Sequence, residues 1–250
     1  DVPQVVVADA LRAMGPAASI FFGRPSEAIE VVGVTGTNGK TTSAYLVRSL
    51  LEQGGRQCGL LGTVESIAGG NRLEAVRTTP EAIELQQLFA QMRAGGDSCA
   101  AIEVSSHALD LGRVDGTRFA ASIFTNLTQD HLDWHGTMES YWASKRRLFD
   151  ELPRGVPIIN IDDPYGAELA DGLPDAVSCS IAREADWRGS DIRTGLAGTS
   201  FSLDSPIGRA AVETPLPGRF NVQNILGASA AAAALGVPFD QIVAGIAAAG

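Results

Sequence analysis

The chain has 250 residues, 45% hydrophobic and 19% charged, which is ample apolar material for a sizeable core. A formal net charge of −10 excludes a general nucleic-acid binder, because phosphate backbones are held by clustered Lys and Arg. Three scattered cysteines exclude a disulfide framework or a C-x-x-C metal site, and with no secretion leader and no 18-residue apolar run the expectation is a cytoplasmic protein without membrane insertion.

Residues 1–27 read as a stretch apart, ending in the turn Phe22-Gly23-Arg24-Pro25-Ser26. From there strand-like runs alternate with helix-like ones, the order of a parallel sheet with crossover helices. Strands are predicted over residues 31–34, 57–61, 99–104, 120–124 and 156–159. The first runs straight into GVTGTNGKTT, residues 33–42. Gly36 and Gly39 let the backbone N–H groups around Thr37 and Asn38 turn toward phosphate oxygens. Lys40 can reach the outer phosphates, and Thr41, followed by Thr42, can offer a hydroxyl to Mg²⁺ at a helix start. The loop is a variant, since the ordinary Walker pattern has Gly where Val34 stands.

Tyr45, Leu46, Ser49 and Leu50 continue that helix to Gly54-Gly55, and residues 63–76 read as a hairpin around Gly69-Gly70-Asn71. Thr78-Thr79-Pro80 brings two hydroxyls to the start of a second helix, a cradle for a carboxylate or phosphate or a plain N-cap. All three histidines fall in EVSSHAL and TNLTQDHLDWHGT, each following a predicted strand. Ligands in parallel sheets sit beyond the carboxyl ends of strands, so Glu103, Ser105, Ser106, His107, Asn126, Asp130 and His131 are expected to share a rim with Lys40. Glu103 and His131 are the candidate metal ligands, and a hydrogen-bonded structural role reads best for His107. Residues 141–149 form a helix with Lys145 among its inward aromatic and aliphatic members. Residues 192–212 suit short antiparallel strands. Asn221 and Asn224 then share one face of an alanine-rich helix over residues 221–234, where they could read a nucleobase edge, although capping explains Asn221 equally well. Pro238 opens a further helix.

Taken in order, GTNGKTT, TTP, EVSSHAL, TNLTQDHLDWHGT, the Lys145 helix, NIDD at residues 160–163 and PGRFNVQN resemble the central domain of the Mur ligases, ATP-dependent amide-forming enzymes of peptidoglycan assembly. The pattern is most similar to the members that add a third amino acid to UDP-N-acetylmuramoyl-L-alanyl-D-glutamate. The resemblance implies an α/β fold, a mostly parallel P-loop-type sheet flanked by helices with a small antiparallel sheet at one side. It implies ATP and Mg²⁺ as cofactors, and a UDP-muramoyl dipeptide and a free amino acid as partners. By the same resemblance Lys40 binds the ATP phosphates, Thr41 a first Mg²⁺, and Glu103 and His131 a second. Thr78, Thr79, Ser105 and Arg113 bind the UDP-muramoyl dipeptide, and Asn221 and Asn224 lie near the adenine. Lys145 matches a lysine carried as a carbamate, which forms only on a neutral amine and so needs burial or nearby positive charge. Leu111 departs from the pattern of relatives that have Gln there.

The same comparison makes residues 1–27 the tail of an incomplete N-terminal uridine-binding domain with its linker, and residues 28–250 the central ATP-binding domain without a C-terminal one. With no initial Met, the chain is expected to be a piece of a longer ligase that folds but does not turn over alone. The competing readings are a folate polyglutamate-forming ligase and a non-catalytic nucleotide-binding module.

Overall fold

The computed structural model describes residues 4–152 and 155–249, so residues 1–3 of the N-terminal stretch and Gly250 lie outside the described residues. The N-terminal stretch holds a helix that the sequence reading did not anticipate, α1 (Ala10–Phe21), begun by Asp9, whose carboxylate accepts the Arg12 N–H at 3.1 Å. The chain continues through β1 (Glu30–Thr35), α2 (Lys40–Gln53), β2 (Cys58–Leu61) and the hairpin β3 (Glu65–Ala68) and β4 (Asn71–Glu74). Next come α3 (Ala82–Ala94), β5 (Cys99–Glu103), α4 (Ser106–Asp110), β6 (Phe119–Phe124), the short α5 (Leu132–His135) and α6 (Met138–Asp150). Then follow β7 (Val156–Asn160), α7 (Pro164–Asp171), β8 (Val177–Ser180), β9 (Trp187–Gly195), β10 (Gly198–Ser205), β11 (Gly208–Thr214), α8 (Arg219–Ala234) and α9 (Phe239–Ala248).

All of the strands join one sheet in the order β11-β10-β9-β8-β7-β6-β1-β5-β2-β3-β4. Pairing is parallel from β2 through to β9 and antiparallel at both ends, where β3 and β4 fold back on one side and β10 and β11 on the other. The expected antiparallel strands are therefore the continuation of the parallel sheet through β8. That four-residue strand is too short and too mixed to carry a period of its own.

The central strands are buried on both faces, as crossover helices demand: in β1 every residue after Glu30 is buried, and all of β5 is. One face carries α2, α8 and α9, with Leu46, Leu50, Val222, Ile225 and Ile242 in its core. The other carries α3 and α6, with Leu85, Phe89, Tyr141 and Phe149. Helix α8 lies close on the sheet because β9 has a glycine there; a Cβ on Gly189 would stand 2.8 Å from a Val222 methyl. Strand β1 lies between β5 and β6, with its two parallel neighbours leading away in opposite directions. A crevice past the carboxyl ends of the strands at that reversal is where such sheets place ligands.

Candidate active site

Three strand ends meet at the crevice. The loop after β1 is fixed by the segment after β6: Thr37 N–H donates to the Asn126 carbonyl at 2.8 Å and Asn38 N–H to the Asn126 side-chain oxygen at 2.9 Å. Thr125 Oγ1 donates in turn to the Asn38 carbonyl at 2.7 Å. Two glycines make this fit possible. Gly36 has φ 146° and Gly39, the N-cap of α2, has φ 85°; a Cβ would collide with Thr125 Oγ1 at the first and with the Asn224 amide at the second. The result is a tight loop feeding the free N–H groups of a 14-residue helix, a seat for anions.

Lys40 Nζ folds over the loop and donates to the carbonyls of Gly36 (2.9 Å) and Thr37 (2.8 Å). Burial lowers its pKa below the usual lysine value, against the pull of Glu103 and Asp130. Lys145, on α6, is almost completely buried, and its Nζ donates to the same Gly36 oxygen at 2.8 Å. Its amine stands 4.6 Å from the centre of the Tyr141 ring, one helical turn earlier. Burial first, and the neighbouring Lys40 charge second, hold Lys145 well below the ordinary lysine pKa, with Asp130 opposing.

Glu103 ends β5 and is buried, yet its carboxylate is well supplied: Oε1 accepts the Thr63 N–H at 2.8 Å, and Oε2 accepts the hydroxyls of Thr41 at 2.9 Å and Thr63 at 3.1 Å. His131 precedes α5 with φ 51° and ψ 28°, a left-handed conformation uncommon for a residue with a side chain. Its ring packs edge-on against His107 (4.9 Å) and Tyr141 (6.0 Å), and its Nε2 lies 3.5 Å from Asp130 Oδ2. His107 also packs on Trp134, and its pKa is lowered by burial and then by His131 and Arg113. His135, lowered likewise by burial, is tied through Nε2 to Ser106 Oγ at 3.0 Å.

A polar cleft of about 280 Å³ gathers Thr37, Asn38, Gly39, Lys40, Thr41, Thr63, Thr78, Glu103, Ser105, Ser106, His131 and Lys145. A pocket of about 110 Å³ adjoins it at Asn38 and Gly39, and its further lining includes Asn160, Phe220, Gln223 and Asn224. Other nominated residues stand back from these walls. Thr79 is buried, its hydroxyl donating to the Glu103 carbonyl at 2.8 Å and accepting the Ser105 N–H at 3.1 Å. Arg113 lies behind Thr79, 3.4 Å from its carbonyl. Asn221 supports Asn224, whose amide donates to its side-chain oxygen at 3.2 Å, and Thr42 faces a different, more apolar pocket with Tyr45 and Leu46. Thr63 and Tyr141 were not nominated. The strand-end rule applied to β2 points to Thr63, and spacing four residues before Lys145 on one helix face points to Tyr141, whose hydroxyl is 3.2 Å from Thr37 Oγ1.

The donors present suit a divalent cation: a buried carboxylate bonded to a threonine hydroxyl, with an imidazole on the same cleft. Among the described residues no three His, Cys, Asp or Glu side chains form a ready-made metal cluster. Magnesium commonly takes one or two carboxylates and completes its shell with phosphates and water, so the donor set fits it. Among the described residues no helix is long and apolar enough to cross a membrane.

The family profile of the Mur ligase middle domain matches residues 34–232. The chain belongs to the Mur ligase middle-domain family. It is 45% identical over 248 residues to the UDP-N-acetylmuramoyl-L-alanyl-D-glutamate–2,6-diaminopimelate ligase of Geobacter metallireducens, covering 96% of this chain and 48% of that protein. A solved structure of a ligase with the same name superposes with a TM-score of 0.85 at 30% identity, over 98% of this chain and 53% of that one. The chain thus spans about half the length of the curated relatives it matches. A folylpolyglutamate synthase of Mycobacterium tuberculosis, solved with ADP and AMPPCP, shares the Mur ligase fold at a TM-score of 0.76 and 19% identity, over 95% of this chain and 62% of that one. At that identity the likeness is one of fold alone.

Proposed function

We propose that this protein carries the nucleotide- and metal-binding centre of an ATP-dependent ligase that adds a third amino acid to UDP-N-acetylmuramoyl-L-alanyl-D-glutamate. The observation that carries the reading is the convergence of Lys40, Thr41, Glu103, His131 and Lys145 on one cleft beside the glycine loop. The names of the relatives support 2,6-diaminopimelate as the incoming amino acid.

A carboxylate is a poor electrophile, and ATP supplies the phosphoryl group that converts it to an acyl phosphate, which an amine then opens to the amide with phosphate leaving. The chain's own task is to gather and balance negative charge. Lys40 turns from the loop carbonyls to the outer phosphates, and the first N–H groups of α2 hold the inner ones. Asn224, braced by Asn221, faces the base. Thr41, Glu103 and His131 would hold Mg²⁺, whose charge offsets that of the phosphoryl oxygens. Thr78 and Ser105 bind the substrate's anionic groups from the cleft wall, the Arg113 guanidinium reaches them from beside the Thr79 carbonyl, and Thr79 braces Ser105 from behind.

Lys145 enters as the free-base amine, the form that its burial and the neighbouring Lys40 charge favour; its nitrogen lone pair adds to the carbon of CO₂ while an N–H proton leaves to water, giving a carbamate anion near Glu103 and His131.

The test is ADP release by the full-length protein. Release that needs both the UDP-muramoyl dipeptide and diaminopimelate supports the reading. ADP release indifferent to the dipeptide would sink it in favour of a nucleotide-driven switch.

A further inference from the structure

Glu81 opens α3 as its N-cap residue, with φ −65° and ψ 154°, but its side chain makes no capping bond. A short polar side chain at that position ordinarily accepts from the first turn. Glu81 instead points its Oε1 at two guanidinium groups, Arg77 Nε at 3.0 Å and Arg113 Nη2 at 2.9 Å. Arg113 is the more enclosed of the pair, its side chain 15% exposed against 51% for Arg77. Through the Thr79 carbonyl it sits one residue behind the cleft wall formed by Thr78 and Ser105.

Two features make this contact exchangeable. One oxygen divided between two arginines gives neither of them the two-point fork that makes arginine–carboxylate pairs strong. Arg113 Nε, moreover, is buried with no hydrogen-bond partner among the described residues. A carboxylate able to engage Nε and Nη2 together would satisfy that donor, which Glu81 leaves unmet. On losing Arg113, Glu81 keeps Arg77, so the exchange strands no charge.

We infer that Glu81 is a resident stand-in for a substrate carboxylate: it holds Arg113 in the paired state and hands it over, retreating to Arg77, when the acidic substrate arrives. Glu81 thereby competes with the substrate and sets how tightly its carboxylate is held. The inference rests on the reading of Arg113 as a substrate residue in the proposed function.

The experiment is calorimetric titration of the full-length protein with the UDP-muramoyl dipeptide. Removing the competitor in Glu81→Gln should tighten binding about two- to fivefold, the range an exposed ion pair commands. Arg77→Ala should weaken it by a similar factor, because Glu81 then has only Arg113, and in the Glu81→Gln background Arg77→Ala should change nothing. Glu81→Ser, which supplies a capping hydroxyl to α3, guards against a folding artefact and should also tighten binding. Arg113→Ala distinguishes the two layers. If it leaves affinity unchanged, the substrate role of Arg113 fails; if it weakens affinity while both Glu81 variants bind no tighter than the parent, the stand-in fails and the Arg113 reading survives.

Discussion

The centre of the sheet and its β9–β11 wing follow the same strand geometry and serve different ends. Strands β1, β5 and β6 are covered on both faces and end at buried polar residues, Thr35, Glu103 and Thr125, beside the candidate site. Strand β10 alternates buried and half-exposed residues, presenting Phe201 and Leu203 to α8 and α9, and no candidate site residue lies on the wing. The candidate site residues thus gather where the strand order reverses, and the wing contributes packing.

That division can be broken or sharpened. Phe201→Ala empties a fully packed site and should lower the unfolding free energy by about 3–5 kcal/mol in denaturant titration, with nucleotide affinity of the folded protein unchanged. Loss of nucleotide binding in the folded variant would erase the distinction between the regions. Lys40→Ala should do the reverse, reducing turnover of the full-length protein on the order of 10²-fold or more, roughly 2.7 kcal/mol, while its melting temperature stays near the parent's.

Lys145→Met probes the centre through pH. The folded-state pKa of Lys145 lies well below that of the unfolded chain, so burying the charged amine costs stability in full below the folded pKa. Between that value and about 10.4 the unfolded state binds more protons and the penalty lifts as pH rises. The stability advantage of the Met variant should therefore shrink on going from neutral to alkaline pH in paired denaturant titrations; an advantage that grows with pH would contradict the burial account. Smallest of all, Arg209→Ala, which removes an exposed pair with Asp204, should change unfolding free energy by no more than about 0.5 kcal/mol.

Much of this architecture was legible in the residues themselves. The apolar runs of the central strands, the glycine signal of the hairpin and the position of Glu103 at the end of an apolar strand declare their places, because burial on both faces and tight turns each constrain composition strongly. Helix α1 is hidden by Gly15 and Pro16, which lie inside it and ordinarily mark a break, and it is anchored by distant contacts such as Arg12 with Asp115. Strand β8 escaped for want of length. Within the site, the family resemblance points to Arg113 and helix spacing to Asn221, and neither tells a wall residue from one behind the wall. That distinction depends on which backbone carbonyls and amides lie between, and these come from other elements.

The open sheet has one more consequence, at its two margins. A terminal strand displays unpaired main-chain donors and acceptors, an invitation for a neighbouring molecule to extend the ladder and begin to aggregate. Here β4 is exposed throughout and bears Arg72 and Glu74, while β11 turns Arg209 and Glu213 to water. An intruding strand would have to strip these charges of their hydration. Arg209→Ala, expected to change unfolding little, should therefore show its effect in solubility instead.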